Sequence, residues 1–133
     1  HTLEEKSSYY TDCPSGGPLI QHSLPLLLEM YHNNSLDLET IVTKTSHNPS
    51  ILFEIKDRGF IREGYYADLV LFDLNSPWKV SDSILYSKCN WTPFKKETFK
   101  SKVIHTIVSG NHVFDNGIIN KNLNSKRIEF ERD

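Results

Sequence analysis

The stretch Gly64-Tyr-Tyr-Ala-Asp-Leu-Val-Leu-Phe-Asp-Leu74 constrains the fold of this chain more than any other. Leu69 to Leu74 is a nearly unbroken apolar run, short and rich in branched and aromatic side chains, which predicts a buried strand rather than a helix. Gly64 frees the turn that enters it, and Asp73 with Asn75-Ser76-Pro77 closes it. Before this run, apolar residues recur at helical spacing. After it, they come in short runs separated by turn signals. Helices followed by strands predict two packing units. The change of character falls at Lys56 to Gly59, dividing the chain into residues 1–57 and 58–133.

In the first unit, His1 to Gly17 lacks periodicity and ends in Cys13-Pro-Ser-Gly-Gly17, which predicts a loop. Pro18 suits the first turn of a helix, and Leu19, Ile20, Leu24, Leu27, Leu28 and Tyr31 continue its apolar stripe to Asn33-Asn34. Pro25 inside that stripe removes a backbone donor and should kink the helix or delay its start. Ser35 reads as the cap of a second helix, with Asp37 and Glu39 in its first turn and Leu38, Ile41, Val42 and Thr45 as its buried face. Asn48-Pro49 reads as a fresh cap opening a short helix to about Ile55.

The second unit predicts strands at Phe60-Ile61, Leu69–Leu74, Trp78–Val80, Val103–Val108, His112–Phe114 and Ile118-Ile119. Ser109-Gly110-Asn111 and Asp115-Asn116-Gly117 read as hairpin turns. Trp91-Thr-Pro-Phe94 falls in a long connection. The terminal Lys121 to Asp133 is polar apart from Leu123, Ile128 and Phe130.

Fifteen basic residues against seventeen acidic ones leave little net field, which gives no basis for a nucleic-acid or anionic-membrane partner. Leu24-Pro-Leu-Leu-Leu28 is far shorter than the roughly 20 residues of a membrane-spanning helix. Cys13 and Cys89 have neither disulfide-framework nor zinc-ribbon spacing, so a reduced, cytoplasmic setting is expected. The chain opens on His1, without an initiator Met or a signal segment, and is expected to be the C-terminal part of a longer polypeptide.

None of the six histidines forms a His-x-His or His-x-x-x-His pair, so no metal ligand is assigned in this chain. His22 and His32 fall on the first long helix, with His32 a surface residue near its C-terminus. His47 precedes a helix, His105 alternates with Val103 and Ile107 on a strand, and His112 follows a turn. Each reads as structural or solvated. Ser15-Gly16-Gly17 before a helix is compatible with an anion site or with a flexible connector. Ser15 lacks the His/Asp arrangement of a nucleophile.

Gly64-x-x-Ala67-Asp68-Leu69-Val70-x-x-Asp73, preceded by Asn48-Pro49-Ser50-Ile51-Leu52-Phe53, resembles the C-terminal signature of the metal-dependent amidohydrolase superfamily. There the chain leaves the catalytic TIM barrel and returns to a small β-sandwich. Hydantoinases and allantoinases share that exit strand. His1-Thr-Leu-Glu-Glu-Lys6, Pro14-Ser-Gly16, Trp91-Thr-Pro-Phe94, Thr98-Phe-Lys100, Ile107-Val-x-Gly110 and Ile128-Glu-Phe130 resemble the dihydroorotases in particular.

The resemblance implies an α/β fold, with residues 1–57 supplying the last barrel helices and 58–133 most of the sandwich. It implies that His1 binds the carboxylate of dihydroorotate, and that the backbone of Ser15 and Gly16 contacts the substrate. It also implies a zinc hydrolase interconverting N-carbamoyl-L-aspartate and L-dihydroorotate, working as a homodimer. The general-base Asp is then expected four residues before His1, and the metal ligands further upstream, so no catalytic residue is assigned here. With no barrel strand in the chain, Leu24, Leu27, Leu28, Ile41 and Val42 are expected to face water. A non-catalytic, dihydroorotase-like assembly partner, a hydantoinase or allantoinase, and an unrelated small binding module are the alternatives.

Overall fold

A computed structural model describes residues 1–121 and 126–131, so Leu123 lies outside the described residues. The expected order of helices first and strands second is observed. The first helix falls in a segment whose lack of periodicity predicts a loop: α1, Leu3–Lys6, starts at Thr2. Thr2 Oγ1 accepts from the Glu5 N–H and Glu5 accepts from the Thr2 N–H, a reciprocal cap that holds even a four-residue helix.

A 3₁₀ turn over Ile20–His22 leads into α2, Ser23–His32. Pro25 falls in the first turn of α2, where a missing N–H costs no helical bond, so the helix starts late instead of kinking. The next helix, α3, spans Leu38–Val42, and its cap is Asp37 rather than Ser35: the carboxylate accepts from the Thr40 N–H at 2.6 Å. That bond holds the Asp37 carboxyl below the usual carboxylate range.

Asn48-Pro49 does not reset the chain. α3 runs through a π-helical turn, Thr43–His47, into α4, Asn48–Leu52. The wider turn, with Asn48 N–H donating to the Thr43 carbonyl, shifts the ladder where Pro49 has no donor to give.

Beyond α4, Phe60-Ile61 forms no strand, and Phe60 instead stacks on His47 at 4.4 Å. Six strands follow: β1, Leu69–Asp73; β2, Trp78–Lys79; β3, Thr98–Phe99; β4, Lys102–Val108; β5, Asn111–Asp115; and β6, Ile118–Ile119. Among them β3 was not anticipated. β1, β4, β5 and β6 form an antiparallel sheet in the order β1-β4-β5-β6, while β2 pairs with β3. Ser109-Gly110 and Asn116-Gly117 turn the two hairpins, with positive φ at all four residues as a type I′ turn requires.

The expected burial of the Leu69–Leu74 run is corrected. β1 is an edge strand, and Val70 and Leu71 are 45% and 47% exposed. At the sheet edge β1 has a neighbouring strand on one side only, so solvent reaches those side chains. The helices differ in the opposite sense. Leu28 and Ile41, expected to face water, are buried together with Val80 and Phe99, because α2 packs on α3 and on β3. Val42 and Thr45 are exposed.

Arg58, Asp68 and Ser109 lock the sheet to the segment that precedes it. The buried Arg58 pairs with Asp68, donates to Ser109 Oγ at 3.0 Å, and lies 4.2 Å above the Tyr66 ring. Asp68 also accepts from the Ser109 N–H at 2.7 Å. The Asp of the Gly-x-x-Ala-Asp motif therefore holds the β4–β5 turn against Arg58. Gly59, at φ +83°, lies so close to α4 that a Cβ there would stand 2.5 Å from Ser50 Cβ.

His22 is 1% exposed, ringed by Trp78, Phe94 and Phe99, and neither ring nitrogen has a hydrogen-bond partner. Burial lowers its pKa from the ordinary 6.5. The folded state then binds fewer protons than the unfolded state below pH 6.5. Its stability is complete above that pH and declines as acid charges the unfolded imidazole. His22→Phe should flatten this acid limb, raising Tm more at pH 5.5 than at pH 8. Melting curves at the two pH values check it, and an equal shift at both would remove His22 from the acid response.

Candidate functional site

Thr2 and Glu5 fix α1, and α1 brings Lys6 back onto the loop that follows: the Lys6 ammonium donates to the Pro14 carbonyl. Cys13 Sγ reaches the Lys6 carbonyl at 3.5 Å. The loop so closed carries Ser15, Gly16 and Gly17. Gly16 has φ +85° with open space where a Cβ would stand, so glycine is needed there for backbone conformation and not for room.

His1, Ser15 and Gly16 line one recess of about 260 Å³, together with Lys6, Gly17, Pro18, Cys89 and Trp91. Trp91 closes it from far along the chain, its Nε1–H donating to the His1 carbonyl at 2.9 Å. The His1 imidazole is half exposed, with Nδ1 3.5 Å from a Glu5 carboxylate oxygen. A hydrogen bond with Ser87 at 3.5 Å lowers the pKa of the Cys89 thiol.

Lys6, Cys89 and Trp91 line the recess without having been candidate site residues on sequence pattern. Lys6 had a local signal, being a cation eight residues before a glycine-rich turn. For Cys89 and Trp91 only the fold brings them near.

This donor set can bind an anion. An imidazole, an ammonium and a glycine-rich turn offer donors without a carboxylate of their own, apart from the Glu5 group already engaged by Thr2. It does not fit a catalytic metal, which usually takes about three protein ligands. Among the described residues, three ligand atoms converge only at His105, His112 and Asp115, on the sheet. The other histidines have structural settings: His22 is caged by aromatic rings, and His47 stacks on Phe60. His32, expected at the surface, is partly buried, its Nε2 2.7 Å from Ser101 Oγ. Among the described residues no helix is long and apolar enough to cross a membrane.

Comparison with known proteins places these features. The model of the amidohydrolase family matches residues 2–113. The chain is 37% identical over 122 residues to the dihydroorotase of Pyrococcus horikoshii, an alignment covering 91% of this chain and 28% of that protein. It is 36% identical over 111 residues to the dihydroorotase of Methanosphaera stadtmanae, covering 84% and 26% respectively. Among solved structures, the L-hydantoinase (dihydropyrimidinase) of Arthrobacter aurescens superposes with a TM-score of 0.81 at 27% identity, over 90% of this chain and 28% of that one. The chain thus spans about a quarter of the length of the relatives it matches. A match over residues 2–113 takes in both the helices and the strands, and the chain belongs to the amidohydrolase family.

Proposed function

We propose that this chain is the C-terminal portion of a dihydroorotase, a zinc-dependent hydrolase that interconverts N-carbamoyl-L-aspartate and L-dihydroorotate in pyrimidine synthesis. In this reading residues 1–57 complete the catalytic barrel and 58–133 the sandwich. The full protein works as a cytoplasmic homodimer. The observation that carries the reading is the gathering of His1, Ser15 and Gly16 around one recess beside Lys6, in a chain 37% identical to a dihydroorotase. Both the substrate and its ring-opened form are carboxylates. His1 and Lys6 supply charge-assisted donors to that group, and the Ser15-Gly16 turn lets the backbone approach it. Trp91 holds the His1 main chain, so the imidazole is presented from an anchored loop. This chain's own part in the reaction is binding and orientation. The general base and the metal ligands belong, in this reading, to the sequence before His1.

The hydantoinase alternative is favoured by the structural likeness to L-hydantoinase. Hydantoins carry no ring carboxylate, so a recess with two cationic or donor side chains suits them less. Assaying the full-length protein against dihydroorotate and hydantoin separates the two readings. Turnover of dihydroorotate with little on hydantoin is expected, and the reverse would transfer the protein to the hydantoinases. An inactive full-length protein would support the assembly-partner reading. The 133-residue chain alone should turn over neither compound. Activity in a preparation shown by mass spectrometry to be free of longer protein would overturn that expectation.

A further inference from the structure

β4 and β5 bring three side chains to one point. His105 on β4 lies directly across from Asp115 on β5, with Nδ1 3.2 Å from Asp115 Oδ1. His112 Nε2 stands 3.0 Å from the same His105 Nδ1. In a regular strand, residues 112 and 115 point to opposite faces, because side chains alternate with a period of two. Here the register slips: Thr106 pairs with Phe114, but Ile107 pairs with His112, leaving Val113 as an extra residue in β5. That bulge turns His112 onto the face of His105 and Asp115. Re-aiming one side chain is what a bulge does in a strand.

The three converging atoms can each present a lone pair, because a neutral imidazole can carry its hydrogen on the other ring nitrogen. His105 Nδ1 can share a hydrogen with one neighbour or divide it between both. With both hydrogens on the outward nitrogens, the three lone pairs lie within 4.8 Å of one another. The two short edges, 3.0 and 3.2 Å, approach the roughly 3.3 Å that separates ligand atoms around a tetrahedral zinc with bonds of about 2.0–2.1 Å. Two imidazoles and a carboxylate form a borderline donor set of the kind that takes zinc-class divalent ions, not calcium or magnesium. The side chains lie at the surface, His105 partly covered and His112 and Asp115 exposed, so an ion can enter and water can complete its shell. The type I′ turn at Ser109-Gly110 and the Asp68 clasp hold the hairpin that carries the ligands.

We propose that His105, His112 and Asp115 form a binding site for a zinc-class divalent cation, which clamps β4 to β5. The proposal stands on the hairpin geometry and does not depend on the substrate of the protein. Its test is a comparison of full-length protein with His112→Ala and Asp115→Asn, each stripped by chelator and titrated with zinc, then with cobalt(II) for its visible ligand-field absorption. Native protein should hold one more equivalent per chain than His112→Ala. That equivalent should be weakened at least about 100-fold by His112→Ala, since losing a direct ligand costs more than losing an outer-shell partner. His112→Gln, which keeps polarity and bulk, is run alongside with circular dichroism, so that loss of fold is not mistaken for loss of a ligand. Equal stoichiometry and affinity in native protein and all three variants would overturn the site and leave only a hydrogen-bonded imidazole pair.

Discussion

Replacing His1 by Ala in the full-length protein is expected to lower kcat/KM for dihydroorotate about ten- to a hundredfold while leaving zinc content unchanged. A charge-assisted hydrogen bond to a substrate carboxylate is worth roughly 1.5–3 kcal/mol, which sets that range. His1 lines the recess with Ser15 and Gly16, and its main chain is pinned by Trp91. The competing role is local: Nδ1 lies 3.5 Å from Glu5, so the imidazole could serve only to brace α1. Glu5 is already engaged by the Thr2 N–H at 2.6 Å, however, and an exposed pair of this kind adds little. Zinc content, melting temperature and kinetics measured on one His1→Ala preparation decide the matter. A lowered Tm with native kinetics would make His1 a brace for the loop. Loss of zinc would place it among the metal ligands.

Asp68→Ala is expected to destabilise the protein by about 3–5 kcal/mol, because it strands the Arg58 guanidinium without its counter-charge in a buried setting. At roughly 2–4 °C per kcal/mol, this amounts to about 6–20 °C of Tm. The same substitution releases the Ser109 N–H, so the β4–β5 turn loosens with it. A double variant, Arg58→Met with Asp68→Leu, should recover much of the loss, since apolar replacement of both partners removes the stranded charge. Thermal melts of the native protein, Arg58→Met, Asp68→Leu and the double variant form the required cycle, with Asp68→Ala measured beside it. If Asp68→Ala cost less than about 1 kcal/mol, the pair would belong with weak surface ion pairs, and the motif Asp would need another explanation.

The features that the sequence determined by itself are those decided within a few residues. Both hairpin turns were legible because Gly110 and Asn116-Gly117 accept positive φ between two branched runs. Pro25 announced either a kink or a late start of α2, of which the late start is observed, and the family was legible in Gly64 to Asp73. Even the overlooked α1 was written in Thr2-x-x-Glu5, a reciprocal cap visible in the sequence.

Tertiary structure alone decided the rest, because its causes lie far apart along the chain. Pro49 passes inside a helical run only because a π turn precedes it, which local propensity disfavours. His22, read as an unremarkable helix residue, is buried because Trp78, Phe94 and Phe99 close over it. His32 finds Ser101, and Trp91 finds His1, through contacts that no spacing rule anticipates. His105, His112 and Asp115 meet because strand pairing places β5 beside β4, and one extra residue reverses the direction of His112. Local chemistry selects turns and caps through the few torsions it governs. Which distant side chains share one point is selected by burial and register, and these exist only once the chain has folded.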